Sequence, residues 1–278
     1  MMKLYKPKDL LDYLSSVNIK PKKALSQNFL VDKNTLDKMI EASELTHEDI
    51  VLEIGPGPGV LTNEILGRCE KLVAVEKDDA FANLLNNLNN SKLSVINTDF
   101  IKMDFNFLKN FNKKLKVISS IPYHLTTPII SKLLENHLLF SSITLLVQKE
   151  AANRLISQPR TKGYNYFSVL IKFYSDLQIV SQVSRNCFFP KPKVDSAIIK
   201  FNLKSDLEKH DHNTFFKMLR LCFSQRRKTL ASCLKPYLNP KTTQNTLLKL
   251  RINPNARAED LSLENFLSLR EEISDYIK

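Results

Sequence analysis

No stretch of the chain approaches the ~20 uninterrupted apolar residues of a membrane-spanning helix, and the opening MMKLYKPKDLLDYL lacks the apolar core of a secretory leader. A cytoplasmic protein is therefore expected. Cysteine is sparse: Cys69, Cys187, Cys222 and Cys233 form no C-x-x-C pair and have no histidine at zinc-binding spacing, so neither a metal site nor a disulfide framework is expected. There is no internal repeat or low-complexity tract, and no G-x-x-x-x-G-K-[ST] loop, which removes the P-loop nucleotide-binding enzymes. Glycine is equally scarce. Only five occur in 278 residues, and three of them stand together in Gly55-Pro56-Gly57-Pro58-Gly59.

Acidic residues are also in deficit, 29 against 41 Lys and Arg, for a formal charge of +12. Such an excess favours polyanionic partners, because displaced counterions drive association with phosphates; a merely solvated basic surface is the other reading. The hydrophobic fraction, 43%, is that of an ordinary globular chain and excludes a disordered one.

Strand-like apolar runs alternate with helical segments through the first two thirds of the chain. Ile50–Ile54, Lys71–Val75, Leu93–Asn97, Leu115–Ser119 and Ile143–Gln148 read as strands, with Val60–Leu66, Asp79–Leu88 and Glu150–Ile156 as helices between and after them. Asp32 or Asn34 is placed to cap a helix carrying Leu36, Met39 and Ile40. Unbroken apolar strands joined by helices predict a parallel sheet covered on both faces. Ser168–Phe173, Leu177–Val183 and Ser196–Leu203 read as further strands with shorter links, so the sheet is expected to finish antiparallel. Phe215–Phe223, Arg227–Cys233, Thr243–Leu248 and Leu263–Ile277 read as helices. The expected organisation is an α/β domain over residues 1–204, with a basic N-terminal extension, and a helical domain over residues 205–278.

Glycines directly after the first strand of such a sheet let the backbone approach a bound nucleoside where a Cβ would collide. The spacing here is G-x-G-x-G rather than the G-x-G-x-x-G of dinucleotide folds, and Glu53 precedes it, an acid expected to repel a diphosphate. Glu76, ending the second strand, is placed to take both ribose hydroxyls, and Asp99, after the third, to reach an adenine edge. An adenosine-bearing ligand without a diphosphate fits, and S-adenosylmethionine is the obvious case; a structural glycine turn with solvated acids is the plainer alternative. After the fourth strand stands Ser120-Ile121-Pro122-Tyr123. A polar residue followed by apolar-Pro-aromatic suits an exocyclic amine: oxygen acceptors at Ser120 and the Pro122 peptide would hold its two N–H groups, and Tyr123 would stack on the base.

These residues, with Lys23-Ala24-Leu25-Ser26-Gln27-Asn28-Phe29-Leu30, Gln148-Lys149-Glu150, Phe188-Phe189-Pro190-Lys191-Pro192-Lys193-Val194-Asp195-Ser196-Ala197 and Phe223-Ser224-Gln225-Arg226-Arg227-Lys228-Thr229-Leu230, resemble the ribosomal RNA adenine dimethyltransferases. The closest likeness is to the KsgA-type branch, which dimethylates two adjacent adenosines near the 3′ end of small-subunit rRNA. The resemblance implies a Rossmann-like S-adenosylmethionine-dependent methyltransferase fold and a role in small-subunit biogenesis. It implies cofactor contacts at Asn28, Leu30, Gly55, Glu76, Asp99 and Ser120, a methionine pocket shaped by Glu53 and Gly57, and a target adenine clamped by Tyr123 and Phe188. The family carries Asn where this chain has Ser120. Asn offers a planar carbonyl acceptor; serine offers a shorter hydroxyl, both donor and acceptor.

Phe216–Lys235 contains six Lys or Arg and no acid, and Arg220, Arg227 and Lys228 would share one helix face. With Arg226 and the N-terminal Lys22 and Lys23 they are expected to meet RNA phosphates. The expected partner is small-subunit rRNA within a ribosomal subunit or assembly intermediate, approached by a monomer. The alternatives are a methyltransferase acting on large-subunit rRNA and conferring antibiotic resistance, and a non-catalytic RNA-binding assembly factor.

Overall fold

The computed structural model describes residues 3–22, 27–205, 207, 212–225 and 227–276; the expected RNA contacts Lys23 and Arg226 lie outside them. The chain divides into two compact units, Met1–Ala152 with Leu177–Leu203, and Asn153–Asp176 with Lys204–Lys278. A single cut after residue 204 therefore misses that residues 153–176 group with the second unit.

The first unit opens with α1 (Pro7–Ser16), whose Leu10 and Leu14 are buried, and the two-residue strand β1 (Phe29–Leu30). In α2 (Lys33–Ser43) the cap is Asp32, whose carboxylate accepts Thr35 N at 2.7 Å, and Leu36, Met39 and Ile40 are buried as their spacing predicts. Then follow β2 (Ile50–Ile54), α3 (Val60–Leu66), β3 (Lys71–Glu76), α4 (Asp79–Asn86), β4 (Leu93–Asn97), β5 (Leu115–Ser120), α5 (Thr126–Glu135), β6 (Phe140–Gln148) and α6 (Lys149–Leu155). After α7 (Tyr166–Tyr174) come β7 (Ser175–Val183), β8 (Phe188–Phe189) and β9 (Ser196–Leu203).

Seven strands form one sheet in the order β4-β3-β2-β5-β6-β9-β7. The pairs β3–β4, β2–β3, β2–β5 and β5–β6 are parallel, and β6–β9 is antiparallel. Strand β2 is buried along its whole length, as a strand covered on both faces must be. The chain builds outward from β2 to β4 and then returns to lay β5 on the other side of β2. That reversal is the place in open α/β sheets where a crevice forms outside the carboxyl ends of the strands. Here the β2–β5 ladder pairs Val51 with Lys116 and Leu52 with Val117, and beyond it the Ser119 hydroxyl donates to the Ile54 carbonyl. Apart from this sheet, β1 and β8 pair antiparallel, Phe29 with Phe189 and Leu30 with Phe188.

The second unit carries α7, α8 (His212–Phe223), α9 (Leu230–Leu234), α10 (Pro240–Lys249) and α11 (Leu263–Ile273). Two expectations fail within it. The run Ser168–Phe173 belongs to helix α7, not to a strand. Asn165 caps it by accepting Phe167 N at 2.8 Å, and the segment is buried on nearly every side, so its apolar residues show no helical period. Helix α9 begins at Leu230, not Arg227, because Thr229 caps it by accepting Ser232 N. No helix among the described residues is long and apolar enough to cross a membrane.

Candidate active site

The carboxyl ends of β2, β3 and β5, the turn after β4 and the antiparallel β1–β8 pair enclose one cleft with about 950 Å³ of space, its open mouth included. Nine of the expected site residues line it: Asn28, Gly55, Gly57, Glu76, Asp99, Ser120, Pro122, Tyr123 and Phe188. They come from six sequence-distant segments, gathered by the sheet reversal and by the β1–β8 pair.

The glycine loop is shaped by its neighbours. Gly55 N donates to Val75 O at 2.8 Å, tying the loop to β3. Gly57 has φ +57°, and a Cβ there would lie 2.9 Å from Phe29 Cε1, so both its conformation and the space above it require glycine. Phe29 is fixed in turn by an edge-on contact with Phe81 at 5.4 Å. Gly57 N donates to Glu76 Oε2 at 2.9 Å, and Asp78 N donates to Glu76 Oε1 at 2.8 Å. Each carboxylate oxygen has a second lone pair, so Glu76 retains acceptor capacity towards the cleft while its orientation is set by backbone donors. Burial is the main influence on its pKa, which stands above the ordinary value despite those donors.

Asp99 accepts Ile101 N at 3.0 Å and pairs with Lys77 Nζ at 2.9 Å. Lys77, together with its burial-opposing hydrogen bonds, keeps the Asp99 carboxyl below its usual range. At the other side, Ser120 ends β5, and Tyr123 opens a short 3-10 turn in which Leu125 N donates to Pro122 O at 3.0 Å. The Tyr123 hydroxyl is within 2.7 Å of Ser196 Oγ, which pins the ring from β9. Phe188 is buried beside the pair made by its own strand with Leu30.

Two expected contacts sit behind the cleft wall. Leu30 is buried by its pairing with Phe188 and does not line the cleft. Glu53 is 1% exposed and accepts the Thr62 hydroxyl at 2.7 Å. Burial, reinforced by the nearby Glu76, pushes its pKa up to about 8. Its charged form is disfavoured by this burial, which weakens the expected repulsion of a diphosphate by a Glu53 charge.

Residues that pattern reading missed also line the cleft, among them Gln27, Lys77, Phe100, Ile101 and Ile129. Lys77 follows Glu76 directly and could have been suspected as the partner of Asp99; Ile129 gave no signal, because its place depends on how α5 packs. Lys22, expected to face RNA, pairs with Asp78 at 2.9 Å while its side chain stays 54% exposed, and Gln27 Nε2 donates to the same carboxylate at 3.0 Å. In the second unit Arg220 is exposed on α8, but Arg227 and Lys228 are exposed in the turn between α8 and α9, so the three do not share one helix face.

The model of a family described as ribosomal RNA adenine dimethylase matches residues 18–275. Ribosomal RNA small subunit methyltransferase A of Protochlamydia amoebophila is 41% identical, with 98% of each chain covered. The protein of that name from Clostridium botulinum (strain Loch Maree / Type A3) is 37% identical over 96% of this chain and 98% of its own. Among solved structures, a dimethyladenosine transferase from Plasmodium falciparum is similar with a TM-score of 0.78 and 28% identity, covering 89% of this chain and 98% of its own. The 23S rRNA methyltransferase ErmE is similar with a TM-score of 0.69 and 26% identity, covering 88% and 99%.

Proposed function

The chain belongs to the ribosomal RNA adenine dimethylase family, and on that premise we propose that it transfers methyl groups from S-adenosylmethionine to the N6 amines of two adjacent adenosines near the 3′ end of small-subunit rRNA. The observation that carries this reading is the single cleft that joins a nucleoside cradle, Gly57 and Glu76, to an amine-gripping strand end, Ser120–Tyr123.

The cofactor supplies the methyl group when bound. Glu76 would accept the two ribose hydroxyls with its remaining lone pairs, and Asp99 would accept from the adenine edge, held in place by Lys77 and Ile101 N. The Ser120 hydroxyl and the backbone oxygen of the Ile121–Pro122 peptide would accept the two N–H groups of the target amine. That amine is a poor nucleophile because its lone pair is delocalised into the ring. Acceptors on both N–H groups favour a pyramidal nitrogen and localise the lone pair, and the proton becomes acidic only once the methyl is transferred, so no strong base is required. Tyr123 and Phe188 would hold the flipped base between them, each stacking contact worth ~1–3 kcal/mol.

A second groove shares Asn28, Tyr123 and His124 with the cleft and is bordered by Lys20, Lys191 and Lys193. Its cations beside the cleft mouth support an RNA strand as the substrate that enters there. The deciding experiment incubates the protein with labelled S-adenosylmethionine and undermethylated small subunits, then maps the modified bases. Label on N6 of two adjacent adenosines near the 3′ end is expected; label in large-subunit RNA, or in none, overturns the reading.

A further inference from the structure

The turn after β4 contributes Asp99, Phe100 and Ile101 to the cleft, yet it stands on the border strand of the sheet, half-exposed along its length. Within the turn the Asp99 carbonyl accepts Lys102 N and Met103 N, and the Phe100 carbonyl accepts Met103 N, while the Ile101 and Met103 carbonyls find a partner outside it. One side chain of α5 meets them. Lys132 Nζ donates to Ile101 O at 2.7 Å and to Met103 O at 2.5 Å. The same ammonium lies 4.9 Å from the Phe105 ring centroid and 5.7 Å from that of Phe100, within the range of a cation–π contact. The two rings are 5.5 Å apart, and Phe105 packs edge-on against Phe140 of β6. The cation therefore joins two carbonyls and two rings of one turn to a helix.

That helix has a second connection to the site. It starts three residues after Tyr123, where Thr126 Oγ1 donates to Tyr123 O at 2.9 Å, and its Ile129, one turn before Lys132, lines the cleft. We propose that Lys132 is a positioning residue for the cofactor site: it fixes the distance between the amine-gripping end of β5 and the turn that receives the adenine of the cofactor. Asp99, Asp104 and Glu135 are the acids that face this ammonium, and burial draws its pKa below the ordinary lysine value. Lys132 touches neither ligand; it acts through the turn. The inference rests on the reading of the cleft as an adenosine site.

The test compares the full chain with K132M and K132R. Calorimetry with S-adenosylhomocysteine, and separately with 5′-methylthioadenosine, which keeps only the adenosine half, reads the site directly. K132M is expected to weaken both ligands by about tenfold. Its KM for S-adenosylmethionine should rise by a similar factor, with kcat at saturating cofactor held within threefold. K132R retains a cation and donors and should recover most of the affinity; K132Q, which lacks the charge, should lose about as much as K132M and stands in for it should that variant fail to fold. In K132M or K132Q, a kcat that falls at unchanged KM, or affinities within twofold of the parent for both ligands, would overturn the proposal. Failure of the parent itself to bind either ligand would instead overturn the reading of the cleft.

Discussion

At the scale of single residues, two side chains depart from simple expectation. Ser120 stands where the resemblance implies an Asn, and its hydroxyl is shorter and less directional than an amide oxygen. If it is one of the two acceptors on the target amine, Ser120→Ala should cost on the order of 10²-fold in kcat, the usual loss for one good transition-state hydrogen bond, with KM for the cofactor little changed. Ser120→Asn should leave kcat unchanged or raise it; a tenfold loss in that variant would show a cleft rebuilt around serine. Glu53 tests differently. Its pKa is about 8 in the folded chain against an ordinary value of 4.5, so the folded state binds a proton that the unfolded state has released between those values. The stability tied to that proton is complete below about pH 4.5 and is lost as the pH rises through 8. Glu53→Gln keeps an acceptor for the Thr62 hydroxyl but cannot ionise, so its melting temperature, followed from pH 5 to pH 9, should fall less steeply with pH than that of the parent. Parallel curves would place the titration elsewhere.

At the scale of elements, the glycine loop and β1 depend on each other. An alanine at position 57 would enter the left-handed region, at a cost of roughly 1–2 kcal/mol, and would press its Cβ against the Phe29 ring. Gly57→Ala should therefore weaken S-adenosylhomocysteine binding at least tenfold by calorimetry, because the backbone N–H that orients Glu76 shifts with the loop. The partner in this clash also marks the limit of legibility. Strands β2, β4 and β9 have the bounds that their apolar runs predict, and Asp32 caps α2 as its side chain allows. Strands β1 and β8 have two residues each, too short for any period, and exist because Phe29 and Leu30 find Phe189 and Phe188 some 160 residues away. Helix α7 fails for the opposite reason, since a segment buried on nearly every side has apolar residues at most positions and shows no clear period. The strand-end acids and the Ser120–Tyr123 corner were legible because chemistry confines them to the carboxyl ends of strands. Lys132 was not, because a lysine in a helix carries no sign of which carbonyls it will meet.

At the scale of the molecule, the net charge of +12 divides by function. The cleft uses acids: Glu76 and Asp99 face it, while Lys22 and Lys77, two of the cations near it, are paired with Asp78 and Asp99. Those lysines are partly neutralised within the fold, while their side chains stay more than half exposed. Arg220, Arg227 and Lys228 belong to the second unit and to a stretch, Phe216–Lys235, without a single acid. All three are exposed. Their separation onto a helix and the turn after it does not weaken the electrostatic argument, because phosphate neutralisation requires reach and charge rather than one shared face. Replacing all three by alanine should lower affinity for small-subunit rRNA and make log K less steeply dependent on log salt. Each lost phosphate contact removes about 0.7–0.9 from that slope, so a change of about 2 is expected if the three act independently. S-adenosylhomocysteine affinity should stay within twofold of the parent, since every residue lining the cleft belongs to the other unit. A filter-binding series from low to physiological salt measures the slope, and an unchanged slope would move the RNA contacts away from this acid-free stretch to the lysines that border the second groove.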